Sequence, residues 1–532
     1  MPLPESLPAV ESTIALSVAC GFDATVLMNH SPLRAAETNE LTCALNHIRD
    51  AVGYRTLQQR AEGVLVEGVA EYQGMRGPYT LLFAPGGKFL RRIQLKWDQV
   101  VGCNGQTTWQ VDWSRTPHVL ELEDLEFEQL VFGVLTNRWL EEGGPFQVSL
   151  AAAENPQELV FHLQLCGGVE RVELRVSRST WLPLRLTAHR LGTDETWEFD
   201  DYRPAVGLML PYRTMHRMGG LSDQFKIRDV RVTPTTTEMF KPALEPPRDT
   251  HFQKTGDAHF EVKQAASGHL FVRPKIGGQE VGWFALDTGT GAGMTIAPTV
   301  AERLGMPAFG RVVEGGAGKL GMGRFREGKR FELGSMTIDD SVYLELPQAF
   351  CDSMKKLFGF EFAGTCGYDV FSRAVVELDL KHSTAACYEA TNYRLTRGRW
   401  EDLHLNRKIP CVRVEFEGDR KDLFQFDTGA GANILFHAPA VEKFKLLAKR
   451  RTTPIKVGGV GGALDALYGA LDWFQVGPRR IKNPEAIFLA PHEGALNMPH
   501  VAGTFGAGIL KGMTIVFDYP HRRIAFVDGN AS

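Results

Sequence analysis

The spacing of apolar residues changes period along the chain, and each change predicts an element. Leu41, Ala44, Leu45, Ile48 and Val52 recur at 3.6-residue spacing, which predicts a helix capped by Thr38 or Asn39 and closed by Gly53. Period two then takes over. Residues 64–72, 79–83, 88–93, 107–111, 172–176 and 225–232 read as strands, with Pro85-Gly86-Gly87 and Asn104-Gly105 as turns. Residues 38–240 therefore predict one helix followed by a long antiparallel sheet. The Pro/Thr-rich stretch 233–250 carries no period and reads as a connector. Two further regions, 255–392 and 403–529, return to strands and glycine turns, separated by a polar junction around 391–402. Each also reads as carrying one short helix, clearest at 297–305, with Pro298 early and Gly305 after its end.

Two apolar strands in these regions end alike. Trp283-Phe284-Ala285-Leu286 runs into Asp287-Thr288-Gly289-Thr290, and Leu423-Phe424-Gln425-Phe426 into Asp427-Thr428-Gly429-Ala430. A given tripeptide arises by chance on the order of 0.1 times in a chain this long, so one copy would mean little. The spacing repeats as well: 80 residues separate Asp287 from Gly367, and 79 separate Asp427 from Gly506. Beyond those glycines, residues 375–382 align with 515–521. Between Asp and Gly each region carries a glycine-rich segment, with Gly315, Gly316 and Gly318 in the first and Gly458, Gly459, Val460, Gly461 and Gly462 in the second. Four landmarks in one order predict an internal duplication.

Amide hydrolysis needs a group to take a proton from water and a group to give one to the carbonyl oxygen or leaving nitrogen. Two carboxylates sharing one proton can do both, and Asp287 and Asp427 are the candidate pair. Gly289 and Gly429 allow a tight turn, and Thr288 and Thr428 can hydrogen-bond between the two regions. The order of landmarks resembles the retropepsin-like and pepsin-like aspartic peptidases, in which each lobe supplies an Asp-Thr-Gly loop, a flap hairpin and a later apolar-apolar-Gly element. The resemblance covers about half the chain. Residues 427–430 and 458–462 look retroviral in type, whereas Thr290 in fourth place looks more pepsin-like and the first glycine segment is longer and charged. It implies catalytic Asp287 and Asp427, loop support from Thr288, Gly289, Thr290, Thr428, Gly429 and Ala430, and packing roles for Gly367 and Gly506. It also implies substrate-closing flap tips at the two glycine segments.

Composition narrows the remaining classes. A net charge of −4 gives no electrostatic case for nucleic acid or an anionic membrane. Eight cysteines without a Cys-x-x-Cys pair leave zinc unsupported and fit buried thiols or long-range disulfides equally. His382 and His521 occupy matching positions but have no second ligand nearby, so they read as strand-end histidines, and Asp379 and Asp518 read as structural. No metal or organic cofactor is expected. Residues 1–37 read as a poorly structured or targeting segment: they contain Glu5 and Glu11 where a signal peptide would be positive, and no apolar run is long enough for a spanning helix.

The region 38–240 resembles the periplasmic lipoprotein-carrier fold, a helix with an antiparallel half-barrel, on residues 104–109, 178–183 and 199–211. That resemblance implies export and a lipid or lipoprotein ligand; a sheet face filled by its own aromatics is the alternative, and the unclear signal sequence leaves a cytoplasmic location open. The expected fold is mainly β, with two acid-protease-type lobes after a carrier-like domain. The expected function is a monomeric aspartic endopeptidase acting on extended peptide or protein. An inactive peptide-binding scaffold and a lipid or lipoprotein carrier are the rival classes.

Overall fold

The computed structural model describes residues 32–242, 244, 247–253, 258–316, 320–459, 462–490, 494 and 496–528. The expected segment 1–37 lies outside this set as far as residue 31, and so do the glycine-segment residues Gly318, Val460 and Gly461. The protein is mainly β.

The first helix spans Pro32–Val52, so it begins before the expected cap at Thr38 or Asn39, and Gly53 closes it with φ +75°. A thirteen-stranded sheet follows, antiparallel throughout. The chain enters at the middle strand Gly63–Tyr72 and steps outward through Met75–Ala84, Lys88–Gln94, Asp98–Asn104 and Thr108–Val111 to the edge strand His118–Val119. It restarts at the other edge, Phe146–Ala151, and steps back until Leu221–Thr233 pairs with Gly63–Tyr72.

A second long helix, Leu122–Leu135, makes the return between the edges and was not expected from the sequence. Its apolar residues do not gather on one stripe, because Phe127, Leu130, Val131, Phe132 and Val134 are all buried, and a helix covered on several sides loses the amphipathic signal. Phe132 stacks on Phe89 at 4.1 Å, Phe127 tilts against Trp197 at 5.7 Å, and Trp139 against Phe161 at 5.6 Å. This sheet face is filled by the chain's own side chains.

The C-terminal half holds two β lobes with matching strand order. In the first, Phe362–Cys366 lies between Trp283–Leu286, with which it runs parallel, and Met294–Ile296; beyond Val342–Glu345 lies the hairpin of Gly321–Glu327 and Ala308–Glu314. In the second, Gly503–Phe505 lies between Arg420–Phe426, again parallel, and Ile434–Phe436; beyond Glu485–Leu489 lies the hairpin of Gly462–Ala470 and Thr453–Gly459. The lobes meet in a six-stranded sheet in which Val375–Asp379 pairs antiparallel with Met513–Asp518, the two stretches that align in sequence.

Two details depart from expectation, and a third decides between open alternatives. The strand Thr250–Phe252 pairs with Met336–Ile338, so the end of the 233–250 connector already joins the first lobe. The first lobe also contains the helix Gln348–Phe358. Its signals were present: Pro347 stands before it, Gly359 ends it at φ +74°, and Phe350, Cys351, Met354 and Phe358 recur at helical spacing against the core. Cys43, Cys103, Cys351, Cys366, Cys387 and Cys411 are free thiols, which removes the long-range disulfide alternative for them.

Candidate active site

Each Asp-Thr-Gly loop is built at the end of a strand that a parallel neighbour holds from below. The Asp287 amide donates to Cys366 O and the Asp427 amide to Phe505 O, both at 2.9 Å. Within each loop the third residue turns back: Gly289 N donates to Asp287 Oδ1 at 2.9 Å and Gly429 N to Asp427 Oδ1 at 2.8 Å.

The loops are tied by an exchange of hydrogen bonds across the lobe boundary. The Thr288 hydroxyl donates to Phe426 O and the Thr428 hydroxyl to Leu286 O, each at 2.6 Å. In return Thr288 N donates to Thr428 Oγ1 at 3.0 Å and Thr428 N to Thr288 Oγ1 at 2.9 Å. Both threonines are essentially inaccessible, at 1% and 0% exposure. This symmetric clamp fixes where the two carboxylates sit.

Asp287 and Asp427 are partly accessible and adjoin each other. A Cβ added to Gly429 would come within 2.6 Å of Asp287 Cγ, and one on Gly289 would press still closer on the Asp427 carboxylate. Only glycine lets each carboxylate rest on the other loop's backbone. Burial, the charge of Asp287 and a hydrogen bond to it together hold the Asp427 carboxyl well above the usual carboxylate range, while the amides of Gly429 and Gly289 oppose the shift.

Gly367 and Gly506 pass beneath the loops. Gly367 N donates to Gly293 O at 3.0 Å and Gly506 N to Asn433 O at 3.0 Å. A Cβ on Gly367 would overlap Thr290 O and Gly293 O, and one on Gly506 would overlap Gly431 O. Thr290 and Ala430 donate their amides to the Asp287 and Asp427 carbonyls at 3.1 and 3.0 Å. Gly315 and Gly316 stand at the described end of the first hairpin, and Gly458, Gly459 and Gly462 flank the end of the second.

Several contributors were not picked out from the sequence. His269 lies beside the second loop: its Nδ1 is 2.8 Å from Ser267 Oγ, Ser267 O accepts from Ala432 N at 2.9 Å, and its ring hydrogen-bonds to the Gly429 backbone. Burial holds its pKa below the usual histidine value, against the charge of Asp287. Asp369, two residues after Gly367, accepts from Met294 N at 3.1 Å, and burial raises its carboxyl to about 6 despite Arg373 and Lys408. Its place just after the glycine element was the signal available. Trp113 of the N-terminal domain donates its indole N–H to Ala292 O at 2.7 Å, directly after the first Asp loop. Only the folded chain brings those residues together.

The matching histidines are accounted for locally. His382 Nδ1 lies 2.7 Å from Asp379 Oδ2, and His521 Nδ1 2.9 Å from Asp518, which also accepts from Arg523. Among the described residues, no group of three or more His, Cys, Asp or Glu side chains is arranged to hold a metal ion.

Two β lobes, each closing an Asp-Thr-Gly loop against the other across a shared sheet, have the general fold of the aspartic proteases. In keeping with this, residues 412–509 match the family model described as aspartyl protease, a span that includes Asp427, the second hairpin and Gly506. The chain is similar to a retropepsin-like aspartic protease from Rickettsia conorii, at 16% identity over 25% of this chain and 100% of that one, with a TM-score of 0.17. Its N-terminal region is similar to a LolA superfamily protein from Nitrosomonas europaea, at 16% identity over 37% of this chain and 97% of that one, with a TM-score of 0.27. A further similarity is to the Pseudomonas aeruginosa MucA/MucB complex, at 11% identity over 58% of this chain and 96% of that chain, with a TM-score of 0.16. No curated protein sequence matches the chain.

Proposed function

We propose that the chain is an aspartic endopeptidase whose two catalytic carboxylates, Asp287 and Asp427, come from duplicated lobes of one polypeptide. The observation that carries this reading is the mutual packing of the two Asp-Thr-Gly loops, each carboxylate against the other loop's glycine, with the Asp427 proton held tightly. In the working state the pair holds one proton. The charged member takes a proton from a water between them as its oxygen attacks the peptide carbonyl, and the neutral member donates to the carbonyl oxygen. Collapse of the tetrahedral intermediate returns a proton to the leaving nitrogen, and the C–N bond breaks. The chain's other residues hold this geometry: Thr288 and Thr428 clamp the loops, and Gly367 and Gly506 let them sit low.

On this reading the hairpins Ala308–Glu314/Gly321–Glu327 and Thr453–Gly459/Gly462–Ala470 are the flaps, and an extended peptide binds beneath them by strand-like main-chain hydrogen bonds. Protein substrate, monomeric action and export belong to the same proposal. No described helix is long and apolar enough to cross a membrane. The test is cleavage of a diverse peptide library from pH 3 to 8 by the wild type, Asp287→Asn and Asp427→Asn, with and without a hydroxyl transition-state mimic. Inhibitor-sensitive cleavage lost in both variants is the expected result. Peptide binding without cleavage at any pH would transfer the chain to the scaffold class.

A further inference from the structure

The first-lobe hairpin is fastened to the N-terminal domain at its base, at its middle and at its described end. Arg311 N, within the strand Ala308–Glu314, donates to Gln73 O at 2.7 Å. Gln73 lies at the turn between the strands Gly63–Tyr72 and Met75–Ala84, with φ +52°, and its own amide donates to Asp223 Oδ1 at 2.7 Å. Asp223 is held in turn by His216 Nδ1 at 3.0 Å, whose Nε2 is 2.8 Å from Glu195. The acceptor offered to the hairpin is therefore fixed by a buried polar chain inside the sheet.

Packing reinforces this bond. Trp97, only 5% exposed, stands edge-on to Phe325 at 5.0 Å and tilts against Phe309 at 6.0 Å, so it covers both strands of the hairpin. Trp113 adds a contact to Phe325 at 5.5 Å. Lys96 Nζ lies 2.7 Å from Glu327 and 4.4 Å from the centre of the Phe309 ring. Further along, a Cβ added to Gly315 would lie 3.1 Å from Leu191 Cδ1, and one added to Gly219 would lie 3.0 and 3.1 Å from Val313 and Leu320, so the two domains leave little space there. A two-stranded hairpin alone is marginal in water. This one has its apolar face buried in a second domain.

We propose that the N-terminal domain is a fixed buttress for the first flap, with Trp97 and Lys96 as positioning residues and Leu191 beside Gly315, so that the first-lobe half of the substrate groove is preformed. The inference rests on the peptidase reading for its kinetic consequence but not for its structural one. The two flaps then differ in kind: the first is a wall shared between domains, and the second is a hairpin of its own lobe. Substrate residues beneath the first flap meet a surface whose shape the N-terminal domain sets.

The experiment is hydrogen exchange on the full chain, paired with steady-state kinetics on a cleaved peptide. In the wild type, amides of Ala308–Glu314 and Gly321–Glu327 should exchange at least about tenfold more slowly than those of Thr453–Gly459 and Gly462–Ala470. Trp97→Ala should raise exchange in the first hairpin alone and raise KM by about tenfold with kcat changed much less, while Trp97→Phe restores most of both. Leu191→Glu, on the surface turn, gives the same selective loosening if Trp97→Ala fails to fold. Equal exchange in the two wild-type hairpins, or unchanged exchange and KM in both variants, would overturn the buttress. A chain that cleaves nothing yet keeps the protected first hairpin loses the peptidase reading and keeps this one.

Discussion

Substituting Thr428 by Val removes one hydroxyl and tests what joins the lobes. That hydroxyl donates to Leu286 O at 2.6 Å and accepts from Thr288 N at 3.0 Å, where no water reaches. Valine fills nearly the same space, so the cavity contribution is small and the cost is that of leaving a buried carbonyl and a buried amide without these partners. Each such group costs about 1–3 kcal/mol, which places the loss between about 2 and 6 kcal/mol if both remain unpaired. Thr428→Ser keeps both bonds and loses one methyl, for about 1 kcal/mol. Urea denaturation read alongside hydrogen exchange at the Thr288 amide separates lobe opening from unfolding of the N-terminal domain, because only the former exposes that amide. Cleavage should fall by about a hundredfold, since ångström-scale misplacement of reacting groups costs that much. If Thr428→Val stays within about 0.5 kcal/mol of wild type and leaves the Thr288 amide protected, the cross-lobe clamp does not hold the site together and the reasoning fails.

Other expectations follow from the same geometry. Asp427→Asn should abolish cleavage yet stabilise the protein near neutrality. The folded Asp427 carboxyl binds its proton more tightly than the unfolded one, so stability falls as pH rises above an unfolded value of ~3.9 toward the folded one; a wild-type stability profile as flat as the variant's would count against the shared proton. His216 should give a second pH signature at the alkaline end. Burial opposes its charge, but hydrogen bonds to Asp223 and Glu195 raise its pKa to about 9. Its contribution is complete below an unfolded value of ~6.5 and is lost as pH rises through about 9, a slope that His216→Gln should remove in thermal melts at stepped pH. Gly506→Ala should prevent a folded second lobe, because the new methyl would occupy the space of Gly431 O and approach Ala430 C to 2.9 Å; soluble, active protein would show that the loop can rise to make room.

Much of the candidate site's layout could be read in the chain because it depends on local pattern. An Asp-Thr-Gly after an apolar strand needs glycine to turn, and a second copy with an apolar-apolar-Gly element at nearly the same distance marks the strand that pairs in parallel beneath it. The sheet strands of the N-terminal region were legible for a similar reason, since one face is buried and period two survives. The helix Leu122–Leu135 was not. Packed among the sheet residues Phe89 and Trp197, it carries apolar residues on several sides, while Glu123 and Asp124 at its start meet Arg407 across the domain boundary. Carboxylates at such a place look like a solvated face until the partner is known.

The sequence by itself determined which residues could act and roughly how each lobe is strung, because turn chemistry and hydrophobic period are properties of neighbours in the chain. The tertiary structure decided what those residues do to one another. Asp287 and Asp427 are 140 residues apart, and their loops adjoin because Thr288 and Thr428 exchange bonds across the lobes. The attachment of the first hairpin to Gln73, Trp97 and Leu191 likewise depends on contacts more than a hundred residues apart. Desolvation, charge coupling and interdomain packing are set by which surfaces meet, and no local pattern encodes that meeting.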